Sequence, residues 1–183
     1  SAPQKGWSAT PCAGLVMLSD RAVARMEETT SNSFVTDLKK WHQIMATYEN
    51  GGHAYHATMP TDGLKAFRDT MLETRDYGFE KLKEQQWALG NAVRADLKAR
   101  GVQSVAADGF GAPGVVVSYT QDAEIQSGRA FAAKGMQIAA GVPLQCDEPP
   151  EFSTFRLGLF GLDKLYDVDG TVKRLTTVLG EVL

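Results

Sequence analysis

Thiols, charge of one sign and long apolar runs are all scarce in this chain. Cys12 and Cys146 are the only cysteines among 183 residues. They have no metal-ligand spacing and cannot build a disulfide framework, so a cysteine-rich scaffold or a zinc module is excluded and a reducing, cytoplasmic setting is the expectation. Nineteen Lys and Arg against 22 Asp and Glu leave a net charge of −3, without the basic excess that nucleic acid or another polyanion attracts. No apolar run approaches the roughly 20 residues that cross a bilayer as a helix. The opening SAPQKGWSATPCAGLVMLS lacks both an initiator Met and the charged-then-apolar order of a signal peptide, so the chain is expected to enter an architecture partway through. What is present suits a globular protein: 43% hydrophobic and 22% charged residues are enough for a core of useful size.

Hydrophobic periodicity divides the chain into two unequal parts. Ala13–Leu18 is a continuous apolar run that reads as a buried strand. Ser19 or Asp20 then caps a helix over 20–28, and a second helix covers about 36–48, where Leu38, Trp41, Met45 and Tyr48 recur at steps of three and four. After the loop ENGGHAYHATMP, Thr61 and Asp62 are N-cap candidates for a helical stretch that runs to about residue 100, with a bend at Gly78 and a left-handed C-terminal residue at Gly101. Beyond it the pattern predicts strands at Gln103–Ala107 and Gly114–Thr120, a helix over 123–134, strands at Met136–Ala140 and Phe152–Phe160, and a helix over Asp167–Leu183. Helices on one face of a small, largely antiparallel sheet satisfy that order. Residues 1–60 do not close on themselves. One strand and two helices leave a strand face uncovered, so this part needs a sheet from elsewhere.

Three segments carry candidate chemistry. Lys5 lies on a Pro- and Gly-containing loop ahead of an apolar strand, the kind of sheet edge where α/β proteins bind ligands; the alternative is a solvated surface lysine. His53, Tyr55, His56 and Thr58 place several hydrogen-bond donors in one short loop, suited to a phosphate or simply to water. His53 and His56 lack a third metal ligand and read as groups that order the loop. Arg156 sits inside the apolar strand FSTFRLGLFG, where an unpaired charge is costly. It either binds a carboxylate through its planar fork or forms a structural ion pair with Asp147, Glu148 or Asp163.

Taken in order, these segments resemble the class V branch of fold type I pyridoxal 5'-phosphate enzymes, with the alanine–glyoxylate and serine–glyoxylate aminotransferases as the nearest likeness. The family's lysine stretch Ser-Gly-Ser-Gln-Lys reads here as Ser1-Ala2-Pro3-Gln4-Lys5. Its loop Tyr-His-x-Thr-x-Pro is matched by Tyr55-His56-Ala57-Thr58-Met59-Pro60, and its arginine strand Leu-Arg-Ile-Gly-Leu by Phe155-Arg156-Leu157-Gly158-Leu159. The likeness spans essentially the whole chain and implies an α/β to α+β architecture, the C-terminal part of such a transferase. Residues 1–62 would be the remainder of the large cofactor-binding domain. Residues 63–183 would be the linking helix and a small α+β domain with a mainly antiparallel sheet.

The resemblance also implies roles. Lys5 would bond covalently to pyridoxal 5'-phosphate and shuttle the substrate proton. Gln4 would lie against the cofactor, and Tyr55 and Thr58 would bind the phosphate held by a partner subunit in a homodimer. Arg156 would clamp the carboxylate of a small amino acid and then of a 2-oxo acid of the glyoxylate or pyruvate type. Pro3 replaces a frequent family Ser, Trp7 is expected to narrow the substrate entrance, and 141–150 departs from the family pattern. Cys146 lies too close to Arg156 to match the mobile cysteine of class V desulfurases and reads as an inert thiol. In this fold the groups that cradle the phosphate, stack on the ring and hold the pyridine nitrogen precede the lysine, so this stretch alone is expected to be inactive. Two further readings remain open at this stage: another class V activity (lyase, desulfurase or epimerase), and a non-catalytic α+β interaction domain.

Overall fold

The computed structural model describes residues 1–183. Two helices come first, α1 (Asp20–Glu27) and α2 (Leu38–Glu49). Ser19 caps α1 by accepting the Ala22 N–H at 3.3 Å, and Asp37 caps α2 by accepting the Lys40 N–H at 3.0 Å, each satisfying a donor that the first helical turn leaves free. Next come α3 (Thr61–Tyr77) and α4 (Phe79–Ala99). Gly78 separates them with φ +99°, a left-handed angle that breaks the expected stretch into two helices rather than bending one. Thr61 and Asp62 do not cap α3. The helix begins at Thr61 itself, Pro60 precedes it without a side-chain bond, and Asp62 instead sets a negative charge in the first turn, where the helix dipole favours it.

The remaining elements are β1 (Val115–Tyr119), α5 (Ala123–Gln126), α6 (Arg129–Ala132), β2 (Ala139–Ala140), β3 (Thr154–Gly158), α7 (Leu162–Leu165) and α8 (Val168–Val182). The sheet is antiparallel in the order β1-β3-β2, with Arg156 opposite both Val117 and Ala139. Side chains alternate across it. Phe155 and Leu157 of β3 and Val116 of β1 are at most 2% exposed and pack against Leu89 and Val93 of α4 and Leu179 of α8. Arg156, on the other face, is half-buried. This is the small α+β domain with an antiparallel sheet that the strand and helix order predicts.

Four expected elements differ. Ala13–Leu18 is extended but pairs only with Ser1, through Leu15 N–H to Ser1 O at 3.0 Å and the Ser1 amine to Leu15 O at 2.7 Å. No neighbouring strand exists in this chain to complete a ladder, and Met17 is 95% exposed. Gln103–Ala107 is reduced to a single bridge, Ser104 with Ser118. The expected helix over 123–134 is two short helices, because Gly128 takes φ +82° between them. Only Ala139 and Ala140 of the expected 136–140 strand join the sheet.

Candidate functional site

The Lys5 loop is a tight turn. Ser8 N–H donates to Lys5 O at 2.9 Å and Ala9 N–H to Pro3 O at 3.0 Å, while Pro3 is fully buried and Gln4 and Lys5 stand exposed. Two contacts dock this turn. Trp7 meets Phe67 of α3 edge to face, with centroids 5.8 Å apart, and Ser8 occupies the space beside Gly161, where an added Cβ would come within 2.4 Å of the Ser8 hydroxyl. Trp7 is thus a strut between the turn and α3. Gly161 follows β3 directly through Leu159 and Phe160, so the lysine turn is anchored to the continuation of the arginine strand.

In the 51–60 loop the Tyr55 and Thr58 hydroxyls lie 3.1 Å apart, and Tyr55 is 73% exposed. His56 holds the loop in place. Its ring packs against Phe34 at 4.2 Å and Trp41 at 4.8 Å, and its Nε2 is 3.2 Å from Phe34 O. His53 meets Tyr48 at 5.8 Å. His56 ties the loop to Phe34 and Trp41, His53 touches Tyr48, and no three His, Cys, Asp or Glu side chains gather together.

Arg156 makes no ion pair. Its Nε donates to Ala140 O at 2.9 Å, and no side chain or carbonyl partners the two terminal nitrogens. Two of the three acids that could have paired with it are engaged elsewhere, and Asp147 forms no ion pair. Asp163 pairs with Lys164 at 3.1 Å, and Glu148 accepts the Gln145 and Cys146 N–H groups at 2.8 Å each. The structural ion-pair reading of Arg156 is thereby overturned. The planar fork stands on the outer sheet face with its two terminal nitrogens available to a carboxylate.

Those backbone bonds, the Cys146 N–H first among them, hold the Glu148 carboxyl down to about 2. A depressed folded value means that this latch stabilises the loop above the ordinary carboxyl range, near 4.5, and is lost as pH falls from there through about 2. A side-chain titration of Glu148 followed by nuclear magnetic resonance is expected to give a midpoint near 2, and one in the ordinary carboxyl range would contradict the latch. Exposed Cys146 lies at the tip of this loop.

Two hollows lie apart from the candidate residues. One hollow of about 520 Å³ lies along the 143–152 loop, and another of about 450 Å³ lies between α4 and residues 102–111. Neither is lined by Lys5, Tyr55, Thr58 or Arg156. What the fold brings together is the Tyr55–Thr58 hydroxyl pair, and, along one continuous segment, Arg156 and the seat of the lysine turn.

No protein-family model matches the chain. In sequence it is 25% identical over 182 residues to a protein of Synechococcus sp. (strain PCC 6716) named soluble hydrogenase, small subunit, covering 100% of this chain and 45% of that protein. In structure it is similar to alanine–glyoxylate aminotransferase from Nostoc sp., with TM-score 0.72, 18% identity, and 97% of this chain matched to 46% of that one. The subgroup IV aspartate aminotransferase of Thermus thermophilus gives TM-score 0.73, 22% identity and coverage of 100% and 48%. The ureidoglycine–glyoxylate aminotransferase of Bacillus subtilis gives 0.70, 20%, and 99% against 46%. The chain thus has the fold of the C-terminal part of these aminotransferase structures and spans about half of their length.

Proposed function

We propose that this chain is the C-terminal half of a pyridoxal 5'-phosphate-dependent class V aminotransferase that moves an amino group between a small amino acid and a small 2-oxo acid of the glyoxylate or pyruvate type. The observation that carries the reading is Arg156, a charged fork on an otherwise apolar strand, fixed at Nε and unpartnered at its two terminal nitrogens. The similar structures are aminotransferases, which supports the same reaction class. In this reading residues 1–62 complete a large cofactor domain, residues 63–183 form the linking helix and small domain, and the protein works as a cytoplasmic homodimer. No helix is long and apolar enough to cross a membrane.

The residues fit the part of the cofactor that falls to them. Lys5 is exposed on a rigid turn, and no carboxylate lies within ion-pairing distance of it. Tyr55 and Thr58 present two neighbouring hydroxyls, which suit the phosphate of the cofactor held by a partner subunit, and Gln4 adjoins the attachment point. The cofactor, when bound, supplies an electrophilic aldehyde and an electron sink.

This chain's side chains do the rest. Lys5 Nζ is the attachment nucleophile and, once free, the base that holds the proton taken from the substrate Cα. Arg156 binds the carboxylate that the amino acid and the oxo acid share, so a single clamp orients both half-reactions. The isolated 183-residue polypeptide is expected to be inactive, since the groups that would enclose the ring lie outside it in this reading. The test is to supply the holoenzyme with a small amino acid, with and without a 2-oxo acid. Sustained amino transfer that requires the oxo acid is expected, with no more than one equivalent of product per cofactor in its absence, and repeated turnover without it would point to a lyase and sink the proposal.

A further inference from the structure

A guanidinium on a flexible side chain binds a carboxylate well only when its plane is held in place. Arg156 has a single internal hydrogen bond, from Nε to Ala140 O at 2.9 Å, so the aim of its fork depends on where that carbonyl sits. The strand that carries Ala140 is only two residues long, and pairing with β3 alone fixes it weakly. The next residue, Gly141, is gripped from both sides by one partner. Its N–H donates to Gln126 O at 3.1 Å, and its carbonyl accepts from Gln126 Nε2 at 3.2 Å. A Cβ at Gly141 would fall 1.8 Å from Thr154 O, so the gripped peptide lies flush against the first residue of β3.

Gln126 is itself held firmly. It ends α5, where Asp122 caps the helix by accepting the Glu124 and Ile125 N–H groups at 2.7 and 3.2 Å. The adjacent Ile125 is buried in the core. The arrangement runs without a gap from the core through Gln126 to Gly141, Ala140 and the guanidinium.

We propose that Gln126 is a positioning residue for Arg156: its backbone carbonyl holds the Ala140–Gly141 peptide, its side-chain amide holds the Gly141 carbonyl that follows, and the two together set the Ala140 carbonyl that aims the carboxylate-binding fork. The inference rests on the carboxylate-clamp reading of Arg156. Its test compares kcat/KM for a small amino acid with kcat/KM for a small primary amine that lacks a carboxylate. The holoenzymes compared are the unaltered protein, Gln126→Met, Gln126→Glu and Arg156→Gln. Methionine keeps the length without a donor. Ionised glutamate keeps the shape and places an acceptor against the Gly141 carbonyl, so it still decides the matter if the methionine variant folds poorly.

Both Gln126 variants are expected to lose about tenfold for the amino acid, chiefly through KM, with the amine unchanged, as a misaimed binding group costs rate without touching the reacting atoms. Arg156→Gln should show the same selectivity with a larger loss. If Arg156→Gln discriminates but the Gln126 variants do not, or lose both substrates alike, Gln126 has no positioning role. If Arg156→Gln fails to discriminate, the clamp reading falls and the role of Gln126 falls with it.

Discussion

Replacing Arg156 with glutamine will lower kcat/KM for a small amino acid by roughly 10²- to 10³-fold. The size follows from what the fork offers. Two charge-assisted hydrogen bonds to one carboxylate contribute about 1.5–3 kcal/mol each, and a net loss of about 3–4 kcal/mol corresponds to that range of rate. Glutamine keeps a polar side chain on the outer sheet face, so no charge is stranded in the core and the fold is retained. Arg156→Lys restores the charge without the planar pair of donors and should fall between the two. Steady-state kinetics with amino acid and oxo acid each varied will show both KM values rising, because the same clamp holds both substrates. A rise in only one would mean that two different groups bind the two carboxylates.

Lys5→Ala is expected to lose still more, on the order of 10⁴-fold or greater in kcat, the scale seen when a covalent nucleophile is removed. The loss should be chemical rather than structural. Lys5 is exposed and makes no side-chain bond, and the turn is held by Pro3, Trp7 and Ser8 instead. A surface change of this kind shifts stability by no more than about 0.5 kcal/mol, so the melting temperature should stay within a few degrees while turnover disappears. A variant with substantial turnover would show that the covalent attachment lies elsewhere.

The small domain was legible in the sequence where local pattern and tertiary packing agree. Val115–Tyr119 and Thr154–Gly158 are β-branched or apolar runs that pair with each other, and Val172, Leu175, Leu179 and Val182 give α8 an apolar stripe that the core accepts. The misreadings come from segments whose fate depends on something other than their own pattern. Ala13–Leu18 has the composition of a strand, but a strand needs a neighbour, and here only Ser1 reaches it. Gln103–Ala107 runs beside β1 for one bridge and then turns away before the Asp108-Gly109 turn. The 123–134 helix has good propensity on both sides of Gly128, and that one left-handed residue, seated against Ile138, divides it.

The site was legible to a similar extent, and for related reasons. An arginine within an apolar strand draws attention by itself, but whether an acid neutralises it is a matter of distance. Glu148 turns onto its own loop and Asp163 onto Lys164, which no local pattern around Arg156 reveals. The pairing of Tyr55 and Thr58 follows from their separation of three in a turn. His56 as an aromatic anchor depends on Phe34 and Trp41, far from it in sequence. Gln126 carried no signal at all. A glutamine at the end of a short helix resembles any surface glutamine until Gly141 is seen between its two polar ends.

The attachment of the cofactor to Lys5 is the claim on which the rest of the account depends. Borohydride reduction of the complete protein with pyridoxal 5'-phosphate, followed by peptide mass mapping, tests it most directly, because reduction fixes the bond as a stable secondary amine. The account predicts one modified site, at Lys5, and its disappearance in Lys5→Ala. No modification, or labelling scattered over surface lysines such as Lys65 and Lys83, would contradict it.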